Sequence, residues 1–143
     1  MTHVRTQLRD AAAVVLAPAG SVHKSRSYSL AESELAAILV YTNAESIDLD
    51  ENAAFDLYDR TLTLVVEPIV QATADVDTAL DTLIEAIETA LGADPGLGGL
   101  ALHCLLRSIE VTISTEGAQP IARARMTYEV RYRTAFENPS TAI

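Results

Sequence analysis

Over residues 121–134 the chain alternates without a break between two kinds of side chain. One set is Ala122, Ala124, Met126, Tyr128, Val130 and Tyr132; the other is Arg123, Arg125, Thr127, Glu129, Arg131 and Arg133. A period of two puts successive side chains on opposite faces of a β-strand. A strand this long with one apolar and one charged face needs a sheet that is covered on one side only. The cover is legible upstream. Residues 75–91 carry Val76, Leu80, Leu83, Ile84, Ile87 and Leu91 at helical spacing, which predicts an amphipathic helix of about 25 Å. Asp75 is placed to cap its start, and Gly92 to close its end with Pro95 beyond. Residues 3–16 form a second helical pattern, with Val4, Leu8, Ala12 and Val15 in one stripe and Ala11 and Leu16 beside it. Pro18 and Gly20 stop it.

The remaining segments supply strands. Residues 36–42 are nearly all apolar, which suggests burial on both faces. Residues 60–67 place Leu62, Leu64 and Val66 on one face, with Pro68 near the strand's end. In residues 104–115, Ile109, Val111 and Ile113 are expected inward, and Glu110, Thr112 and Ser114 outward. Residues 21–28 are short, polar and weakly basic, and are read as a first edge strand. Between the strands, Glu45–Asp59 carries six carboxylates and no basic residue, and is read as a loop. Residues 92–101 form a glycine-rich connection, and Glu116-Gly117 supports a turn between the last two strands, which pair as an antiparallel hairpin. The expected architecture is therefore α+β: one mainly antiparallel sheet of four to five strands with two helices packed on one face. Residues 1–143 read as a single domain, with a flexible C-terminal end at 136–143.

Composition narrows the function. Ten basic residues against twenty acidic ones give a net charge of -10, which repels nucleic acid phosphates and anionic lipid. No run of 18 apolar residues and no signal-peptide pattern occurs, so no membrane partner is expected. One cysteine, Cys104, permits no intramolecular disulfide. The absence of Trp argues against a base-stacking platform.

Short motifs with chemical meaning fail on context. Ser21-Val22-His23-Lys24 has the letters S-x-x-K, but it lies in an extended segment instead of opening a buried helix. Gly96-Leu97-Gly98-Gly99-Leu100-Ala101 has the letters G-x-G-x-x-A, but it follows a helix and enters a strand, the reverse of a dinucleotide site. Asp48-Leu49-Asp50-Glu51-Asn52 begins like a calcium loop, yet Ala53 stands where the turn needs Gly, and Asp59 where a bidentate Glu belongs. His103 and Cys104 are neighbours on opposite faces, and His3 and His23 are isolated, too few for a zinc site. No catalytic, cofactor or metal residue is assigned, and the chain is not expected to be an enzyme.

Two charge patterns remain. Asp77, Asp81, Glu85 and Glu88 form an acidic stripe on the long helix with no basic residue to relieve it. Arg123, Arg125, Arg131 and Arg133 gather four of the ten basic residues on one strand face. Each is unfavourable alone, and together they suit complementary surfaces of neighbouring subunits in a head-to-tail ring.

Several segments carry a family likeness: Arg5-Thr6-Gln7-Leu8-Arg9-Asp10, Ala37-Ile38-Leu39-Val40-Tyr41, Leu62-Thr63-Leu64-Val65-Val66-Glu67, the helix Asp77–Glu88, and Tyr128-Glu129-Val130-Arg131-Tyr132-Arg133-Thr134 with Pro139 after it. Through them the chain resembles the tail terminator (minor tail) proteins of long-tailed phages. The resemblance implies an α+β domain that forms a homohexameric ring on the tail tube, stops tube polymerisation and offers a surface for head joining. Its implied partners are further copies of itself, the tube protein and a head-tail connector protein, with assembly in the host cytoplasm and a place in the virion tail. It also suggests Glu45, Asp48, Asp50 and Glu51 as a partner-contact loop. The alternatives are another head-tail neck protein, or a small ligand-binding domain or enzyme with its site at a subunit interface.

Overall fold

A computed structural model describes residues 2–24, 36–49, 56–72, 74–115 and 119–143. The order is α1 (Val4–Leu16), a 3-10 turn (Ala17–Ala19), β1 (Ser21–His23), β2 (Ala37–Leu49), β3 (Leu57–Gln71), α2 (Val76–Ala93), β4 (His103–Ser114), β5 (Ile121–Ala135) and β6 (Asn138–Ala142). The strands form one sheet in the order β1-β2-β3-β5-β4, with β6 also paired to β5. The chain is α+β with both helices on one face. The sheet is mixed, because β1 pairs parallel to β2 while the other pairings are antiparallel.

The apolar faces read from sequence meet in one core. Val4, Leu8, Ala12 and Leu16 of α1 and Val76, Leu80, Ile84, Ile87 and Leu91 of α2 pack on Ile38, Val40, Leu62, Leu64, Val66, Met126, Tyr128 and Tyr132. In α1 the stripe runs through Leu16, and Val15 is only partly buried. The cap of α2 is Asp75, whose carboxylate accepts from the Thr78 amide at 3.2 Å. Asp75 does this in the left-handed region, at φ 50°. The helix runs past Gly92 and ends at Asp94, so Gly92 is not its closing residue. The turn after the helix is left-handed over three residues, the buried Leu97 at φ 47° and Gly98 and Gly99 at φ 74° and 90°.

Two expectations change. First, the described parts of the acidic segment lie largely in strands. β2 continues to Leu49 and β3 begins at Leu57, because a bulge between Thr42 and Glu45 lets the ladder carry on. Asp50 and Glu51 lie outside the described residues, as do residues 25–28 of the first edge strand and the Glu116-Gly117 turn. Second, β3 passes through Pro68 and ends at Gln71. Pairing to β5 lapses at Glu67 and Pro68, between Val66 opposite Met126 and Ile69 opposite Arg123. Proline has no amide to donate there. Residues 136–142 form a turn and β6. The Ile143 amide donates to the Arg133 carbonyl at 3.0 Å, and the Gln7 side chain to the Ser140 carbonyl at 2.8 Å.

The second sheet face is not wholly polar. Ala37, Leu39 and Tyr41 of β2 and Val65 and Ile69 of β3 are buried there, so β2 is buried on both faces as its continuous apolar run suggests.

Candidate functional site: two charged surfaces and an exposed edge strand

The four arginines of β5 divide into two pairs. Arg131 Nη2 lies 2.6 Å from Asp59 Oδ2, so Arg131 is held within the subunit. Arg133 lies opposite Asp59 in the ladder and is half-buried. Arg123 and Arg125 are exposed and form no salt bridge among the described residues. Arg125 stands opposite Glu110 of β4, yet the two make no ion pair. Position explains the split. On the β3 side, Asp59 reaches only the Arg131–Arg133 end of β5, while Arg123 stands opposite the uncharged Ile69. Glu129, between the pairs, receives hydrogen bonds from Arg107 at 2.8 Å and His103 at 3.1 Å, and these hold its carboxyl below the usual range.

The acidic stripe of α2 is as read from sequence. Asp77, Asp81, Glu85 and Glu88 are all exposed and take part in no salt bridge among the described residues. The stripe does not meet Arg123 and Arg125 within the subunit, because α2 lies on the other face of the sheet.

Of the residues suggested as a partner-contact loop, Glu45 and Asp48 are described and both belong to β2, while Asp50 and Glu51 lie outside the described residues. Glu45 belongs to β2 and turns toward the helices, with its side chain only 5% exposed. Its carboxylate lies 3.1 Å from the Arg60 guanidinium, accepts from the Tyr132 hydroxyl, and has Arg5 at 3.8 Å. Arg60 Nε donates to Thr134 Oγ1 at 2.9 Å. Glu45 is thus a structural anion beneath the start of α1, unavailable to a partner. Burial and the Glu45 hydrogen bond push the Tyr132 hydroxyl well above its ordinary pKa. Asp48 lies opposite Asp59 across the β2–β3 ladder.

One feature escaped the sequence reading. Ile109, Val111 and Ile113 do face the helix side, opposite Met126, Ala124 and Ala122. They are nevertheless 40%, 51% and 43% exposed. β4 is an edge strand, and α2 covers it only near Cys104, which is buried. Period-two alternation reports which way a side chain points, whereas a cover requires a helix above it. Leu105, on the opposite face, is 42% exposed. A long edge strand with bulky apolar side chains in the open is rare in a free monomer.

Other chemistry is sparse. Ser21 Oγ lies 3.4 Å from His23 Nε2 on β1, and Lys24 pairs with Asp10 at 3.1 Å, so the S-x-x-K letters form no nucleophile site. Burial raises the Cys104 thiol to a pKa of about 12. No group of three or more metal-ligating side chains occurs among the described residues. Among those residues no helix is long and apolar enough to cross a membrane.

No protein-family model matches the chain. No curated protein matches it either. Among solved structures, a chain from the virion of a native gene transfer agent particle is similar over 92% of each chain, with a TM-score of 0.47 and 13% identity.

Proposed function

We propose that the chain is a structural protein of a phage-like particle, a tail terminator that acts by assembly and without chemistry. In this reading copies of the chain close into a ring of six on the end of the tail tube. The ring blocks addition of further tube subunits and leaves an outer surface for head joining. The carrying observation is the pair of exposed charged surfaces, α2 and the Arg123–Arg125 end of β5, which lie on opposite faces of the sheet and have no salt-bridge partner among the described residues. Like charges this close on a helix are mutually unfavourable, and a neighbour of opposite sign removes the penalty. The α+β fold that the family resemblance implies is the fold of this chain, which supports the reading.

Light scattering after size exclusion tests it. A ring of six has a mass of 6 × 15.3 = 91.8 kDa and should weaken as salt is raised, because exposed ion pairs are screened. Arg123→Glu with Arg125→Glu should return the chain to 15.3 kDa with its fold intact. Arg131 is unsuitable for this purpose, since its reversal also breaks the pair with Asp59. Added to polymerising tube protein, the ring should shorten tubes seen by electron microscopy. A species that binds a portal or connector and leaves tube length unchanged would point to a neck protein instead.

A further inference from the structure

Two strand edges are open at opposite sides of the sheet. β1 pairs with β2 only at Ala37–Leu39, so the far half of β2 has no outer strand among the described residues. There Ile47 and Leu49 are 48% and 63% exposed. They stand on the helix side, opposite Arg60 and Tyr58, while Asp48 stands on the other face opposite Asp59. Asp59 is held by Arg131. Asp48 is exposed and takes part in no salt bridge among the described residues. At the other side of the sheet, β4 has no outer strand among the described residues. Its Ile109, Val111 and Ile113 stand on the helix side, and Glu110 and Thr112 on the other face, with Arg125 and Arg123 behind them on β5. Both edges are thus apolar on the helix side and polar on the other. On that polar face one offers an unpaired acid and the other exposed arginines.

We propose that the open end of β2 in one copy adds to the β4 edge of the next, so that the sheet continues from subunit to subunit. This rests on the ring reading above and gives its interface. Strand direction fits. The β2–β3, β3–β5 and β5–β4 pairings are all antiparallel, so β4 runs opposite to β2. Copies related by a ring rotation keep their helices on one side and bring these two edges together antiparallel. Their outward amides and carbonyls then pair, and alternation sets apolar against apolar on one face and polar against polar on the other. Charge fixes the register. Asp48 opposite Glu110 would set like charges directly across the ladder, which is unfavourable. Opposite Thr112 it has Arg123 behind a short side chain, two strand spacings or about 10 Å between backbones. An arginine and an aspartate side chain together span that distance. Ile47 then meets Ile113, and Leu49 meets Val111. The contact leaves the acidic face of α2 for a different neighbour. Pairing two β4 edges about a two-fold axis would close a dimer and leave Ile47 and Leu49 in the open. Unlike edges give a heterologous contact, which closes into a ring when the rotation allows.

Charge exchange and engineered cysteines test the contact. Asp48→Arg and Arg123→Asp should each abolish the six-subunit species in light scattering, with the far-UV circular dichroism of the fold unchanged. The two together should restore it. Cys104 is buried, and its thiol is raised to about 12, so the native cysteine is a quiet background. Leu49→Cys and Val111→Cys alter exposed positions. Oxidation of the double variant should yield a ladder of multiples of 15.3 kDa on a non-reducing denaturing gel, while each single variant stays monomeric. A dimer from Val111→Cys alone would overturn the pairing in favour of a two-fold β4 contact. A six-subunit ring that gives no ladder and tolerates Asp48→Arg would overturn the pairing and leave the ring standing. A monomer by light scattering with no ladder would remove both.

Discussion

Replacing Glu45 with Ala should unfold the protein much more readily than its place in an acidic stretch suggests. The Glu45 and Arg60 side chains are 5% and 8% exposed and meet at 3.1 Å. Truncating Glu45 leaves the Arg60 charge buried, with Thr134 Oγ1 as its remaining hydrogen-bond acceptor among the described residues. Breaking one side of a buried pair costs about 3–5 kcal/mol. Arg60→Met should cost less, because Glu45 then keeps the Tyr132 hydroxyl and has Arg5 nearby at 3.8 Å. The double variant Glu45→Ala with Arg60→Met removes both charges. Both it and Glu45→Ala strand the Tyr132 hydroxyl; the double variant adds the neutral Thr134 hydroxyl, whereas Glu45→Ala leaves a full charge buried, which costs more. It should therefore be more stable than Glu45→Ala alone, the reverse of additivity. Urea unfolding followed by far-UV circular dichroism gives the four free energies, provided the slopes agree. A Glu45→Ala variant within about 0.5 kcal/mol of the parent, as for a solvated surface residue, would refute the buried pair. So would a double variant that loses the sum of the single changes.

Two further outcomes follow from local geometry. Asp75 holds a left-handed conformation and caps α2, so Asp75→Ala should lose the cap and add backbone strain, about 1–2 kcal/mol. Asp75→Gly keeps the conformation and should lose less. The opposite ranking in thermal unfolding would place the role of Asp75 elsewhere. Burial raises Tyr128 and Tyr132 above the ordinary tyrosine value of 10.0, so the folded state favours their neutral form. Their contribution to stability is fully present below pH 10 and is lost as pH rises above it. Unfolding free energies measured from pH 8 to 12 should fall past pH 10, and Tyr132→Phe should flatten that fall.

Much of the architecture is set by local pattern. The alternation of residues 121–134, the 3.6-residue stripes of α1 and α2 and the Asp75 cap each follow from backbone geometry acting over a few residues. The same patterns place the acidic residues of α2 and the arginines of β5 on exposed or half-buried faces. Tertiary structure decided what those charges meet. Asp59 comes from another strand, 72 positions from its partner Arg131, and neutralises one end of the arginine row while leaving Arg123 and Arg125 open. Glu45 reads as loop because carboxylates normally seek water, and only the bulge at Thr42 and the arrival of Arg60 and Tyr132 turn it into the core. The β4 strip shows the same limit from the apolar side. Its spacing fixes the face on which Ile109, Val111 and Ile113 point, but whether that face is covered depends on how far α2 extends across the sheet. That is a long-range packing outcome, and no period within β4 encodes it.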